Sequence, residues 1–471
     1  MSIDDPNIQK LHAWIDTHQD EIVSALQGVL RIPSLKAPSV GTNAPYGQPL
    51  RAALDYTLTL CDQLGFRTRD FDGYAGHAEF GEGSEYVGAL GHLDVVPEGD
   101  GWNFPPYGAT LDNGFIYARG SADDKGPTFA ALFAAKALLD SGLPLKRRIR
   151  LIFGCDEESG FGCVKHYFEV ANEERPVVGF TPDAGFPLIY AEKGIANLIL
   201  EKQLPGGDFP LRIERASGGQ RPNMVPDHAE AHLTGTSDAL AEAARILGKY
   251  WDKNVTFDQT GTGITVHAYG KSAHGSTPIN GDNAVARLAK ALAELPLPEA
   301  DIWLNWVIKT VDTTGTLLGI AHTDDVAGPL TCNLGILEYT PENRVRLTYN
   351  VRYPVTWNIE ALTESSRSLL EKEGWTLAEV QDQPPLYVPL DQEPVATLLR
   401  IYQEETGDTT TKPYTMGGGT YARATPFTVA FGASFPGSTD GPAHEIDERI
   451  AVDTILRAAK IYAHAFYELA K

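Results

Sequence analysis

The chain has 471 residues, 42% of them hydrophobic and 21% charged, a globular balance on a length that serves two or three cores better than one. Acidic residues outnumber basic ones 62 to 39, for a formal net charge of −23, which argues against general binding to nucleic acid or anionic membrane, since both need a basic surface. No apolar run is long enough to cross a bilayer, MSIDDPNIQK lacks the basic and apolar regions of a secretory signal, and Cys61, Cys155, Cys163 and Cys332 are scattered with no C-x-x-C pair, so a reduced, cytoplasmic protein is expected.

Ile8, Leu11, Ile15, Ile22, Leu26 and Val29 recur at helical spacing and predict a helix over 7–31, stopped before Pro33. A second helix is expected at 48–64, closed by Gly65. Tyr86–Leu90 reads as a buried strand. Pro127 then opens an Ala-rich helix that Gly142 ends. A strand follows at 147–153, a short helix at 163–170 and a strand at 177–181. Strands alternating with helices imply an α/β domain with a largely parallel sheet.

The pattern changes over 190–383. Amphipathic strands (AEAHLTG, GITVHAYG, RVRLTYNVRY) mix with helices in TSDALAEAARILGKYWDK and GDNAVARLAKALAELPL. After the Pro-rich QDQPPLYVPLDQEP come a helix, a glycine loop (MGGGTYAR), a strand (FTVAFGA) and a terminal helix at 448–469. The simplest organisation is one α/β domain, 1–189 and 384–471, interrupted by an inserted α+β domain at 190–383.

Acids and histidines collect just after the strands of the α/β portion. His92 and Asp94 follow the first buried strand, two residues apart and so on one face. Asp123 and Asp124 lie in ARGSADDKG, Asp156, Glu157 and Glu158 in FGCDEESG, and Asp183 in TPDAGFP. Ligands of parallel α/β sheets bind beyond the carboxyl ends of the strands. Singly, each cluster has an ordinary explanation: Asp123 as a helix cap, Glu157 and Glu158 as solvated turn residues, Asp183 as part of a turn. Together they would repel one another without a positive partner. Lys125 and Arg119 offer some charge. Metal ions offer more, and His with Asp and Glu is a donor set that suits zinc. Two Zn²⁺ ions would be balanced by Asp123, Glu158, Asp183 and one hydroxide.

Competing motifs fail. Gly270-Lys271-Ser272 ends like a P-loop, but Thr265 stands where a glycine is required. His444-Glu445 begins like a zincin helix, but Glu448 stands where the second histidine belongs. Gly417–Gly419 does not follow a strand as a dinucleotide loop does.

In order, GHLDVVP, GSADDKGP, DEES and TPDA, with GKSAHGSTP, NVRYP and GGGTYAR beyond them, resemble the dizinc metallopeptidases that include carnosinases, aminoacylases, succinyl-diaminopimelate desuccinylase and glutamate carboxypeptidase. The resemblance is strongest to PepV-type bacterial dipeptidases and spans nearly the whole chain. It implies a zinc-peptidase-like catalytic domain with a mostly parallel central sheet and an inserted α+β lid.

The resemblance also implies roles. His92 and Asp183 would hold one zinc, Glu158 and a late histidine the other, and Asp123 would bridge them, with a cis Asp123–Asp124 peptide. Asp94 would orient the His92 imidazole through its second nitrogen, and Glu157 would be the general base. His444 and His464 are the candidates for the late histidine. His464 lies in an apolar helix and reads as packed, whereas His444 matches the family motif. The chain departs from the family where Asp447-Glu448 stands in place of the common Asn-Glu. In the lid, His274 corresponds to a residue that stabilises the oxyanion, and Asn223 and Arg352 to substrate contacts. Gly418, Gly419 and Thr420 would let backbone amides approach a carboxylate. His12, His18, His77, His166, His228, His232, His267 and His322 have no matching motif and are expected to be structural or exposed.

The implied activity is hydrolysis of the peptide bond of unblocked dipeptides by a hydroxide bridging two zinc ions, with Mn²⁺ or Co²⁺ as other suitable metals. The enlarged lid implies a monomer that acts on a small peptide. The alternatives are an N-acyl amino acid hydrolase of aminoacylase or desuccinylase type, and a non-catalytic metal- or peptide-binding relative.

Overall fold

In the computed structural model, which describes residues 3–204, 206–261, 263–340 and 342–471, the strand Tyr86–His92 is buried at every position. Such a strand needs partners on both edges and cover on both faces. It runs parallel to Arg148–Gly154 on one side and to Val178–Thr181 on the other. Thr428–Ala430, from the far end of the chain, adds parallel to Val178–Thr181. The helices Lys125–Ser141 and Val452–Ala470 pack together beside these strands and are buried along most of their length.

The sheet is mixed at its margins. Arg67–Phe71 and Ala75–Phe80 form a hairpin that joins Arg148–Gly154 antiparallel, and Ile189 pairs antiparallel with Ala430. The hairpin turns through Asp72 and Gly73, both at positive φ, the central residues of a turn closed by the Tyr74 amide donating to the Phe71 carbonyl at 3.0 Å; that geometry matches strand twist. A second hairpin, Thr110–Asp112 with Phe115–Tyr117, turns the same way through Asn113 and Gly114. Arg449–Ala451 pairs with Phe115–Tyr117, so the terminal helix starts at Val452 and not at 448 as its hydrophobic pattern suggests.

The N-terminal helical stretch is two helices, Pro6–Thr17 and Gln19–Leu30. His18 breaks it: its backbone leaves the helical region (φ −114°, ψ 18°), and its ring stacks on Trp14 with Nδ1 2.7 Å from the Trp14 carbonyl. All four cysteines are free and buried.

The chain divides into two compact units. One comprises Met1–Tyr190, Tyr387–Tyr414 and Gly419–Lys471; the other comprises Ala191–Leu386 and Thr415–Gly418. The second is built on an eight-stranded sheet in the order Val255–Thr260, Gly263–Tyr269, His228–Gly235, Leu211–Gly218, Thr331–Thr340, Arg344–Tyr353, Gly194–Gln203, Thr376–Gln383. Every neighbouring pair is antiparallel. Its core takes Ala229, Ala231, Leu233, Ile264, Val266, Leu347 and Tyr349 from the strands, with Leu240, Leu288 and Leu292 from helices. The helix Ser237–Leu247 is capped by Thr236, whose hydroxyl accepts from the Ala239 amide; Asn283 caps Ala284–Ala293 in the same way. Among the described residues no helix is long and apolar enough to cross a membrane.

Candidate active site

Parallel register brings the first site residues together. His92 ends its strand opposite Gly154, so the turn Asp156–Glu158 emerges beside it. Asp183 follows the neighbour on the other edge. Gly91 lets the helix Lys125–Ser141 come close: a Cβ there would overlap the Thr128 hydroxyl. That hydroxyl donates to Asp124 (2.7 Å), and the same Asp124 oxygen accepts from the His92 amide at 3.2 Å. Asp124 thus ties the strand end to the helix start, and the peptide before it, Asp123–Asp124, is cis.

Asp123 faces two ways. Its Oδ1 lies 3.0 Å from His92 Nε2, and its Oδ2 lies 3.0 Å from His444 Nε2. His92 Nε2 is also 4.0 Å from Asp183 Oδ2, and His444 Nε2 is 3.0 Å from Glu158 Oε1. Two sets of converging donor atoms result, His92–Asp123–Asp183 and Asp123–Glu158–His444, each with its atoms within 4.8 Å of one another. Asp123 is common to both. His444 sits at positive φ (66°) in a loop that also holds the cis Gly441–Pro442 peptide. His464 is elsewhere: it is fully buried, with Nδ1 2.7 Å from Glu405.

Asp94 reaches both His92 and the neighbouring turn. The nearest partner of His92 Nδ1 is the Asp94 main-chain carbonyl, at 2.9 Å; the carboxylate is 3.5 Å away. That carboxylate also accepts from the amides of Glu157 (3.1 Å) and Glu158 (3.0 Å). It fixes the turn that carries both glutamates. The reason is geometric: the amides of a tight turn point inward, and a buried carboxylate gains most where two donors converge. Asp156 completes the anchoring, accepting from Lys36 (2.7 Å), Ser159 (2.6 Å) and the Gly162 amide (3.1 Å).

Arg119 and Lys125 do not lie among the site carboxylates. Arg119 donates to Glu448 at 2.7 Å, and the Lys125 ammonium to the carbonyls of Ile32 (2.9 Å) and Val29 (3.3 Å). Glu448, to which the motifs gave no role, has one in the structure. Fully buried, it also accepts from the amides of Gly120, Ala122 and Asp123 at 3.0, 2.8 and 3.2 Å, and so holds the loop that presents Asp123. Its only sequence signal was position, just after His444. Asp447 beside it, at φ 56°, accepts from the Asn103 amide at 2.8 Å; Asp tolerates that conformation much as Asn does.

The electrostatics follow from crowding. Burial works against charge on His92, but hydrogen bonds to Asp123 and Asp94 and the charges of Asp94 and Asp183 outweigh it, and its pKa rises well above the ordinary value. Hydrogen bonds to Asp123 and Glu158 raise His444 to about 10. Burial, then the charges of Asp123 and Glu157, push Asp183 far above the carboxylate range; burial also raises Glu157, with Glu158 and Asp123 adding to it against His92. Burial opposes ionisation of Asp123, yet its bonds to His444 and His92 keep it below the usual range. Among the described residues no Lys or Arg bonds to these acids, so Asp183 and Glu157 favour their protonated forms, while Asp123 favours the ionised form between the two histidines. Imidazole and carboxylate donors around a shared Asp123 fit a pair of borderline divalent cations, which would take the place of those protons.

The second unit carries its own polar group. His274 Nδ1 lies 2.7 Å from the Ser276 hydroxyl and accepts from the Ser276 amide at 3.3 Å. The Asn223 carbonyl accepts from the Gly275 amide at 2.7 Å. Arg352, buried, donates from Nε to Asn350 (2.9 Å) and from Nη1 to the Gly417 carbonyl (3.1 Å). Gly417 and Gly418 belong to this unit, Gly419 and Thr420 to the other. A Cβ at Gly418 would find ordinary space, whereas one at Gly419 would meet the Arg423 guanidinium. Thr420 is buried, and its hydroxyl caps the 3₁₀ turn Tyr421–Ala424 by accepting from the Ala422 amide at 3.2 Å.

The strand ends of this mixed sheet gather two sets of metal-type donors, and the sequence comparisons supply the class. The chain belongs to Peptidase family M20/M25/M40, whose family model matches residues 88–468, and it is an enzyme of the hydrolase class. It is 40% identical over 465 residues to a Bacillus subtilis protein named "Putative dipeptidase YtjP", covering 96% of this chain and 98% of that one. It is 37% identical to a "Putative dipeptidase" of Staphylococcus aureus strain USA300, over 97% and 98% of the two chains. Its fold resembles human carnosine dipeptidase 1 (TM-score 0.56, 17% identity, 98% of each chain) and the di-peptidase Dug1p of Saccharomyces cerevisiae (TM-score 0.57, 13% identity, 99% of each chain).

Proposed function

We propose that this chain hydrolyses the peptide bond of unblocked dipeptides with two zinc ions, one held by His92, Asp123 and Asp183 and the other by Asp123, Glu158 and His444. The observation that carries the reading is the division of the Asp123 carboxylate, one oxygen toward each histidine. When bound, the ions would supply positive charge that polarises a carbonyl and eases loss of a proton from water; Mn²⁺ or Co²⁺ also suits such donors. Kinship at 40% identity to a protein named as a dipeptidase supports the substrate class.

Glu157 is the general base. It precedes Glu158, and Asp94 grips both amides, so the base is fixed relative to the donor sets. From that position its carboxylate can take a proton from the attacking water and pass it to the leaving amine. His274 is assigned to the oxyanion. With Nδ1 accepting from Ser276, the neutral ring carries its proton on Nε2, the tautomer that can donate to a developing negative charge. Arg352 is assigned to the substrate carboxylate, for which its planar fork is suited, alongside Asn223 and the amides of the Gly418–Thr420 loop. The free cysteines support a reducing, cytoplasmic setting, and we read the chain as a monomer, which a stable dimer in sedimentation would contradict.

Turnover of Ala-His against N-acetyl-Ala-His tests the substrate class. The unblocked dipeptide is expected to be strongly preferred; a preference for the acetylated form would instead make the chain an N-acyl amino acid hydrolase.

A further inference from the structure

On the second unit, the strand His228–Gly235 alternates strictly. Ala229, Ala231 and Leu233 enter the core, while His228, Glu230 and His232 face outward. Its neighbour Gly263–Tyr269 alternates in the same way, and His267 pairs directly with Glu230. Register therefore sets His228, Glu230 and His267 on one face. Their donor atoms converge to within 4.8 Å of one another, and the two imidazoles stack at 5.8 Å between centroids and 24° between planes.

The most economical reading of a polar sheet face is solvation, and three details oppose it. First, His267 Nδ1 is buried and makes no hydrogen bond among the described residues. Second, that nitrogen lies 3.7 Å from Glu230 Oε2. This is too long for a hydrogen bond, but close to the roughly 3.4 Å that two ligands keep across a tetrahedral zinc ion. Third, the other ring nitrogen, Nε2, has Asp258 Oδ2 at 3.5 Å, from the adjacent strand Val255–Thr260. A carboxylate behind a histidine is the arrangement that orients a metal-binding imidazole and raises its basicity.

We propose that His228, Glu230 and His267 form a further metal site, for Zn²⁺ or another borderline divalent ion such as Ni²⁺ or Cu²⁺. Two neutral imidazoles and one carboxylate form the donor set, and Asp258 brings the local charge to balance with a divalent ion. Imidazole donors select against Ca²⁺ and Mg²⁺. Donors on adjacent strands make the ion a clip between His228–Gly235 and Gly263–Tyr269, with the edge strand Val255–Thr260 drawn in through Asp258. The site shares no residue with the donor sets around Asp123.

Equilibrium dialysis of the full chain against micromolar free Zn²⁺, with the metal counted by mass spectrometry, tests the proposal. His228→Gln/His267→Gln is expected to hold one ion fewer than wild type, whatever number is held elsewhere, with Ala-His turnover unchanged. Glu230→Gln, which keeps both histidines and the strand pairing, should also bind one ion fewer at this free zinc level, and Zn²⁺ should raise its Tm less than it raises that of wild type. Equal metal content in wild type and both variants would overturn the proposal.

Discussion

Glu157 and Asp94 bear separable duties within one turn. Glu157 bonds to no metal in the proposed scheme, so Glu157→Ala should retain the wild-type zinc content and lose roughly 10²- to 10⁴-fold in kcat, the usual scale of general acid–base catalysis. Metal analysis beside steady-state kinetics checks this, and near-normal kcat would remove Glu157 from the mechanism. Asp94→Ala strands the amides of Glu157 and Glu158. An unsatisfied buried donor costs about 1–3 kcal/mol, so a lower Tm is expected together with weaker zinc retention, because Glu158 loses its mount. A variant that kept wild-type Tm and metal affinity would contradict the anchoring role. The sequence made the pairing of His92 with Asp94 visible, since alternate residues of a strand share a face. It could not show that the carboxylate also holds amides more than sixty residues away in the chain, because backbone donors leave no mark on residue type. For the same reason the hold of Glu448 on three amides of the Asp123 loop could not be read from its place beside Asp447.

At the scale of elements, one carboxylate joins three helices. Glu405, on Val395–Thr406, lies 2.7 Å from His464 Nδ1 on the terminal helix and 3.2 Å from His12 Nε2 on Pro6–Thr17. Burial opposes its charge, but the hydrogen bonds to His12 and His464 prevail and lower its pKa to about 2. A depressed folded-state pKa stabilises the fold above the unfolded value, near 4.3, and that stability is lost as pH falls toward about 2. Denaturant midpoints measured across this window should fall steeply for wild type and less for Glu405→Gln; parallel curves would refute the linkage. Other element-level features were legible in part. The parallel strands and the buried helix after Pro127 follow from unbroken apolar runs. The two hairpins carried Asp-Gly and Asn-Gly turns, a readable signal beside strands too short and polar for hydropathy to mark. The break at His18 was hidden because both helices keep one apolar period across it.

For the whole molecule, the net charge of −23 comes with a cluster of acids around Asp123 whose cationic partners among the described residues are the imidazoles of His92 and His444. Family membership accounts for hydrolysis; the proposed chemistry depends on cations entering that cluster. The most direct measurement is therefore reconstitution. The chain is stripped of divalent ions by chelation, then titrated with Zn²⁺ while Ala-His hydrolysis is followed. The account predicts no turnover in the stripped protein and recovery that requires occupancy of both donor sets around Asp123, with Asp123→Ala unable to recover. Undiminished hydrolysis by the metal-free chain would contradict it.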